Sequence, residues 1–348
     1  MGRIKERDGR PLDLSKPIEE VCLTAKAPDE GLRLDLFLKE YVGWKSRTEL
    51  VRLIDDGLVT VNGAARKCSC RIHAGDVVEV KLGSAGSDEV RHHEIELDVL
   101  FEDEWLVVLN KQPGIVVHPA GKHLYNTLIN ALHLRYRNLA DPEKDVVPRL
   151  VHRLDRDTSG VLLVSKDNRI RRSLSFQFEN HLVTKEYLAI VQGELGADYQ
   201  VVDQPIGPAR EPGTWIKRKV SDEPEALPAR TEVRVVRRYP GATLVLLRPH
   251  TGRTHQLRVH LTSLGHPILC DWLYNPGEPL CREDLGLPPH AAGPRWPLLA
   301  RQALHAYRLR LRHPVTGEPV VYRAPLTRDL RETLKAFRDL RRARSGAA

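Results

Sequence analysis

The sequence predicts an α+β protein in which a small module of helices and short strands precedes a larger domain built on a mixed, largely antiparallel sheet. Two amphipathic segments precede two strand-like runs within residues 31–81. Over residues 91–326, strand-like runs alternate with a few helical segments too irregularly for repeated βαβ units. The 348-residue chain is long enough for two or three domains.

The overall composition narrows the class of protein. Lys plus Arg outnumber Asp plus Glu by 54 to 46, a net charge of +8, which fits either a solvated basic surface or a polyanionic partner. No apolar run is long enough to span a membrane, and the charged N-terminus lacks the apolar core of a signal peptide. The five cysteines follow neither zinc-site nor disulfide-framework spacing. We therefore expect a cytoplasmic protein.

The first module begins after a segment, residues 1–30, that is expected to be flexible because it mixes charge and proline with few apolar positions. Apolar residues recur at helical spacing over 34–41, and again over 50–54. Ser46 and Glu49 form a capping-box pattern before the second helix, and Gly57 ends that helix.

Two strands complete the module. Residues 58–61 and 77–80 are rich in valine, and Asn62–Gly63 is typical of a tight turn after the first of them. The module ends near residue 81, and residues 82–90, which are small and polar, are predicted to form an interdomain linker.

The larger domain, residues 91–326, is predicted from short apolar runs and one clear internal helix. Residues 254–264 have leucines on one helical face, and Gly265 ends them. A last amphipathic helix is expected in the C-terminal segment 327–348, before a disordered basic tail at 341–344 that serves as an RNA-seeking arm or only aids solubility. Strands are predicted at residues 106–109, 115–117, 161–164, 187–191 and 244–247.

The most informative motif is VHRLDRDTSG, residues 151–160, which leads directly into an apolar strand. Asp155 and Asp157 stand among arginines, and a carboxylate in such surroundings stays ionised because opposite charge favours the charged form. An ionised aspartate can act as a nucleophile, a metal ligand or a base, and the motif alone leaves all three open.

Four separated blocks carry a family resemblance: DEWLVVLNK at 103–111, the motif at 151–160, KEYLA at 185–189 and TGRTHQLRVHL at 251–261. Together they resemble the RNA pseudouridine synthases of the ribosomal large-subunit (RluA) type. Residues 31–81 resemble the S4 RNA-binding domain that many of those enzymes carry. The resemblance extends from about residue 31 to about residue 326, in the family's order.

The resemblance implies roles for four side chains. Asp155 matches the catalytic aspartate, which would attack the ribose of the target uridine. Tyr187 matches the active-site tyrosine, which would stack on the flipped base or reach its C5 proton. Arg258 matches the arginine that pairs with the catalytic carboxylate, and its guanidinium would hold Asp155 bidentately. Arg153 matches the residue that would enter the RNA stack where the base leaves.

The resemblance also implies a partner and a reaction without cofactor or metal. The partner is RNA, most simply that of the large ribosomal subunit and otherwise transfer RNA, and the enzyme is expected to be a monomer. In the S4-like module, Lys45, Arg47 and Arg52 would form a basic face towards phosphates, although an ordinary solvated helix surface has the same composition.

Several neighbouring residues have simpler structural interpretations. His152 and His260 are expected to be hydrogen-bonded structural groups, and Asp157 is expected to cap the turn after the nucleophile. Lys111 is a weak candidate for a phosphate contact. The family's usual pattern is altered at Gln112–Pro113 and at Cys270, which leaves the catalytic residues intact but puts loop shape and target choice in doubt.

Two other functions compete with this hypothesis. The spacing of Asp155 and Asp157 is superficially that of a haloacid-dehalogenase-type phosphohydrolase, but the preceding residues are polar and no downstream acidic pair stands out. A non-catalytic RNA-binding protein of the same fold is the second alternative. The presence of Asp155, Tyr187 and Arg258 argues against it.

Overall fold

The computed structural model describes residues 13–15, 20–42, 47–82, 94–119, 125–138, 140–141, 143–210, 216–289 and 297–346. The chain forms two compact units, Met1–Leu97 with Ile115–Arg149, and Asp98–Gly114 with Leu150–Ala348. This division differs from the predicted domain boundaries, since residues 115–149 group with the first unit. The predicted α+β class is confirmed. Within the described residues, no helix is long and apolar enough to cross a membrane.

In the first unit, two helices pack on a small antiparallel sheet of strand order β1-β4-β2-β3. The predicted turn at Asn62–Gly63 joins β2 to β3 with φ angles of 51° and 77°. The elements are β1 (Glu20–Thr24), a short 3-10 helix (Ala27–Asp29), α1 (Leu34–Tyr41), α2 (Arg47–Asp55), β2 (Val59–Val61), β3 (Ala64–Ala65), β4 (Val77–Lys81) and α3 (Leu128–Tyr136). Both predicted helices and both predicted strands of the module are therefore confirmed.

The expected flexible segment through residue 30 is wrong for residues 20–30. Strand β1 pairs with β4 in antiparallel register, and Val21 and Leu23 point into the apolar core. Burial alternates along β1, so every second side chain of this strand completes the core of the module. Ser46 of the capping-box pattern and residues 83–90 of the linker lie outside the described residues.

The second unit is built on one large sheet with strand order β10-β13-β14-β9-β15-β8-β6-β5, and β16 pairs with β15. All these pairs are antiparallel except that of β15 with β8. Its elements are β5 (Val99–Glu102), β6 (Leu106–Lys111), β8 (Ser159–Ser165), α4 (Asn168–Glu179), β9 (Thr184–Gln192), β10 (Tyr199–Asp203), β11 (Ile206–Pro208), β12 (Arg218–Val220), β13 (Arg230–Tyr239), β14 (Ala242–Pro249), α5 (Gln256–Ser263), a 3-10 helix (Glu283–Leu285), β15 (Leu304–Arg312), β16 (Pro319–Arg323) and α6 (Arg328–Gly346). Strand β7 (Arg149–Leu150) lies at the division between the two units.

The parallel pairing of β8 with β15 explains the glycine at the end of the motif VHRLDRDTSG, residues 151–160. Gly160 lies opposite Ala306 with a φ of 111°, a conformation that few residues other than glycine adopt. A Cβ at this position would overlap the carbonyl of Ala306. The chain can therefore enter β8 at this point only with glycine.

Two further predictions, for residues 115–117 and for the basic tail, fail. Residues 115–117 form no strand; instead the carbonyls of Val116 and Val117 accept backbone N–H groups at the start of α3. The basic tail at 341–344 is not disordered, because α6 continues through it. The stripe of Leu330, Leu334 and Phe337 packs α6 into the core of the second unit, so this C-terminal segment belongs to that unit.

Candidate active site

A cavity of about 510 Å³ in the second unit contains the four catalytic-domain residues that the sequence singled out. Asp155, Tyr187, Arg258 and Arg153 all line it, although they come from three separate segments of the chain. A cavity of this size falls in the range that holds small ligands, which includes a nucleoside. The fold therefore assembles the predicted site.

A buried lysine at the end of β6, Lys111, donates hydrogen bonds to the backbone of the loop that carries Asp155. Lys111 is 2% exposed, and its Nζ donates to the backbone carbonyls of Gln112, Arg156 and Thr158 at 2.9, 2.7 and 2.9 Å. The possible phosphate contact of Lys111 is thus wrong. Burial lowers the pKa of Lys111 to about 7. Its role is to fix the backbone on either side of Asp157.

Replacing Lys111 by methionine is expected to destabilise the second unit by about 3 kcal/mol or more, because three backbone carbonyls lose their donor. The loop would then relax, and turnover should fall by at least about tenfold. Chemical denaturation and single-turnover kinetics measure the two effects. Lys335→Met, at an exposed position of α6, serves as the control and should change neither. Unchanged stability in Lys111→Met would contradict the anchoring role.

A buried histidine anchors the same loop where it enters β8. His305 is fully buried, with Nδ1 at 2.9 Å from Ser159 Oγ and Nε2 at 3.2 Å from the carbonyl of Ala324. The neutral ring satisfies both partners by accepting at Nδ1 and donating at Nε2. Burial lowers the pKa of His305 to about 4.

This histidine should make the protein sensitive to mild acid. Its pKa of about 4 in the folded chain lies below the ordinary value of 6.5, so the unfolded chain binds more protons between these values. The contribution is fully present above pH 6.5, and about 3 kcal/mol should be lost as the pH falls to 4. Urea titrations at several pH values measure the slope. His305→Gln should reduce it, and an unchanged slope would rule out this residue as its source.

Arg258 joins the nucleophile candidate to a second, deeper carboxylate. It lies in α5 with a side chain 4% exposed, and its Nη1 donates to Asp155 Oδ2 at 3.0 Å. Its Nε and Nη2 donate to the two oxygens of Asp271 at 2.6 and 2.7 Å. Burial opposes the charge, yet the hydrogen bonds and negative charges of Asp271 and Asp155 raise the pKa of Arg258.

The predicted pairing of Arg258 with Asp155 is confirmed, but its predicted bidentate geometry is wrong. The planar fork of the guanidinium points at Asp271, and Asp155 receives a single hydrogen bond. Asp271 is fully buried, whereas Asp155 is 24% exposed, so the deeper carboxylate has the greater need of a charged partner.

Tyr187 faces the cavity from the middle of the sheet. Strand β9 holds it between Leu247 of β14 and Ala306 of β15, which fixes its backbone on both sides. Burial, together with the negative charge of Asp155, raises the pKa of Tyr187. The hydroxyl is therefore protonated at neutral pH, and the side chain offers the cavity an aromatic face and a neutral O–H group.

Sequence reasoning missed a histidine beside the nucleophile candidate. His255 precedes α5 with a φ of 58°, a left-handed conformation that is uncommon for residues other than glycine. Its Nε2 lies 4.0 Å from Asp155 Oδ2, and its Nδ1 lies 3.0 Å from the hydroxyl of Tyr274. Burial lowers the pKa of His255 to about 4, so the ring is neutral at pH 7. Its position inside the TGRTHQLRVHL block was the only signal in the sequence.

Tyr274 contacts the other ring nitrogen of His255. Its hydroxyl oxygen accepts the backbone N–H of Arg218 at 2.9 Å and lies 3.0 Å from His255 Nδ1. In the tautomer that accepts the hydroxyl proton at Nδ1, the Nε2–H of His255 faces Asp155. The ring of Tyr274 also lies 4.9 Å from the guanidinium carbon of Arg258, a cation–π contact.

The structural interpretations of two neighbouring histidines are confirmed. His152 Nε2 accepts the backbone N–H of Leu163 at 2.9 Å, and His260 bonds to Thr231 and to the carbonyl of Gln204. The carboxylate of Asp157 pairs with the side chain of the adjacent Arg156, and capping of the turn by Asp157 stays a prediction.

The predicted RNA contacts are placed as follows. Arg153 is exposed at the cavity. In the first unit, Arg47 donates to the buried Asp35 at 2.6 Å, and Arg52 lies 3.7 Å from Asp56 on an exposed helix face. Lys45 lies outside the described residues. RNA contact by these residues stays a prediction.

Comparison with known proteins identifies the family. Residues 105–263 match the family model described as RNA pseudouridylate synthase, and residues 32–78 match the S4 domain. The chain is 37% identical to a ribosomal large subunit pseudouridine synthase D of Nitrosomonas europaea, over 97% of this chain and 96% of that protein. The chain belongs to the RNA pseudouridine synthase family. It is therefore an isomerase with an N-terminal S4 domain, and the phosphohydrolase and non-catalytic alternatives are set aside.

Other members of the pseudouridine synthase family agree with this assignment. A ribosomal large subunit pseudouridine synthase D of Xanthomonas campestris is 35% identical over 93% of this chain and 95% of that protein. The solved structure of human RNA pseudouridylate synthase domain containing 4 is 28% identical, with a TM-score of 0.54, over 69% of this chain and 93% of that one. The predicted sheet-based pseudouridine synthase fold is thus confirmed.

Proposed function

We propose that this enzyme converts specific uridines of large-subunit ribosomal RNA to pseudouridine, with Asp155 as the nucleophile acting on a flipped-out base. The observation that carries the proposal is the arrangement around Asp155, in which Oδ2 is bonded to Arg258 and the cavity is shared with Tyr187. The choice of RNA is supported by relatives named for the large ribosomal subunit and by the S4 domain.

The proposed reaction exchanges one bond for another at the ribose. An oxygen of Asp155 bonds to C1′ while the bond from C1′ to uracil N1 breaks, and uracil leaves with the electron pair. The base turns so that C5 bonds to C1′, which expels the Asp155 carboxylate. Loss of the C5 proton, with protonation at N1, then restores the aromatic ring, so atoms and charge balance without an external reagent.

The cavity residues fit the demands of these steps. A carboxylate is both a fair nucleophile and a good leaving group from an oxocarbenium-like carbon. Tyr187 supplies a stacking face for the extruded base, and Arg153 at the rim is placed to fill the gap that the base leaves, which would offset part of an unstacking cost of a few kcal/mol. The raised pKa of Tyr187 disfavours a free phenolate. If the Tyr187 oxygen takes up the C5 proton, the hydroxyl must therefore pass its own proton to another acceptor in the same step.

A transcriptome-wide pseudouridine map of a deletion strain tests the proposal. The strain is complemented with the wild-type enzyme or with Asp155→Ala. We expect sites in large-subunit ribosomal RNA that disappear on deletion and return only with the wild type. Sites confined to transfer RNA would overturn the substrate, and sites restored by Asp155→Ala would overturn the nucleophile.

A further inference from the structure

Asp271, which has no role in the proposed chemistry, is the most completely partnered carboxylate of the candidate site. It is fully buried, and its oxygens accept from Arg258 Nε at 2.6 Å and Nη2 at 2.7 Å. Its Oδ1 also accepts the backbone N–H groups of Leu273 and Tyr274 at 3.1 and 3.2 Å. Four donors thus fix this carboxylate, and the fork of Arg258 is fixed with it.

This arrangement fixes how Arg258 approaches Asp155. A guanidinium presents five N–H groups in one plane, and the edge formed by Nε and Nη2 is occupied by Asp271. The opposite side of the guanidinium faces Asp155, and there Nη1 reaches Oδ2 at 3.0 Å. The other oxygen, Oδ1, makes no hydrogen bond to the residues that the structure describes.

The single hydrogen bond matters for a nucleophile. A bidentate pair would engage both oxygens of Asp155 and restrain each of them. A single bond keeps the carboxylate oriented and charged, and it leaves one oxygen open to an attacking position in the cavity. Tyr274, whose ring lies 4.9 Å from the guanidinium carbon, further restricts rotation of Arg258.

We infer that Asp271 is a positioning residue: by holding the Nε–Nη2 edge of Arg258, it directs Nη1 to Oδ2 of Asp155 and so keeps Oδ1 free for attack on the ribose. The inference rests on the proposed role of Asp155 as nucleophile. Asp271 is not itself among the residues that line the cavity and, in this view, does not touch the RNA.

The first test is Asp271→Asn. An amide NH₂ group would face an N–H group of Arg258, so the fork should turn towards Asp155 and engage both of its oxygens. We expect the single-turnover rate of tritium release from [5-³H]uridine-labelled large-subunit ribosomal RNA of a deletion strain to fall by about 10- to 100-fold. The dissociation constant for the same RNA should stay unchanged, because Asp271 is fully buried.

A double-mutant cycle separates positioning from a general structural effect. If Asp271 acts through Arg258, Asp271→Asn should cost little more in a chain that already carries Arg258→Lys. Asp145→Asn is the matched control, since Asp145 also pairs with a buried arginine, Arg137, at 2.8 Å, but in the first unit. It should leave the rate of tritium release unchanged.

Asp271→Glu covers the case in which the asparagine variant does not fold. It keeps the buried charge but lengthens the arm, which displaces the fork, and the same loss of rate at constant RNA affinity is expected. Wild-type rates in a folded Asn or Glu variant, or fully additive effects in the cycle, would overturn the inference. Wild-type tritium release that is abolished by Asp155→Asn shows separately that the proposed function holds.

Discussion

Asp155→Asn is expected to lower the single-turnover rate of pseudouridine formation by at least about 1,000-fold, the largest effect of any single change in this chain. An amide oxygen can still accept the hydrogen bond from Arg258 Nη1, so the loop and the cavity should keep their geometry. What disappears is the charged oxygen that, in the proposed mechanism, bonds to the ribose. RNA affinity should therefore stay near that of the wild type, and filter binding alongside single-turnover kinetics measures both quantities.

The neighbouring carboxylate supplies a matched control for this change. Asp157→Asn makes the same substitution two positions later, in a side chain that pairs with Arg156 in the turn. A pair with one largely exposed partner contributes little to stability, and we expect only a small change in rate. Substantial residual turnover in Asp155→Asn, or equal losses in the two variants, would remove Asp155 from the role of nucleophile.

How much of this site could be predicted depends on the range of the interactions involved. Helix α1 follows from apolar spacing, and the entry into β8 follows from its apolar run, because local patterns determine both. Asp155, Tyr187 and Arg258 were predicted as site residues from the sequence blocks that resemble the family. Their meeting in one cavity is a property of the fold, which the order of the blocks along the chain does not reveal.

The parts that the sequence did not predict are contacts between distant segments. In the sequence, Lys111 is one lysine beside a turn. In the fold, its Nζ donates to two carbonyls of the Asp155 loop and to the carbonyl of Gln112. The same holds for Asp271, whose bond to Arg258 joins α5 to the loop that follows it. Residues 20–24 were misjudged because a single short strand is recognisable only through its partner, β4.

Arg258 pairs with two carboxylates at once. The buried one, Asp271, accepts two hydrogen bonds from the guanidinium, and Asp155 accepts one. Removing the partner of a buried charge is costly, since desolvation is no longer offset. We therefore expect Arg258 to contribute to stability through Asp271 and, under the proposed mechanism, to chemistry through Asp155, so that a substitution can separate the two.

Arg258→Lys is expected to reduce the single-turnover rate by about 100-fold or more while lowering the free energy of unfolding by about 1–3 kcal/mol. An ammonium is a point charge on a flexible stem, so it can balance Asp271 or approach Asp155 but cannot reproduce the fork and the third bond together. Arg137→Lys, at a buried arginine that pairs with Asp145 in the first unit, should lose stability without losing the chemical step. Denaturation curves and tritium release measure the two effects. Near-normal release in Arg258→Lys would mean that positive charge alone suffices beside Asp155, and the directional hydrogen bond from Nη1 would then have no part in catalysis.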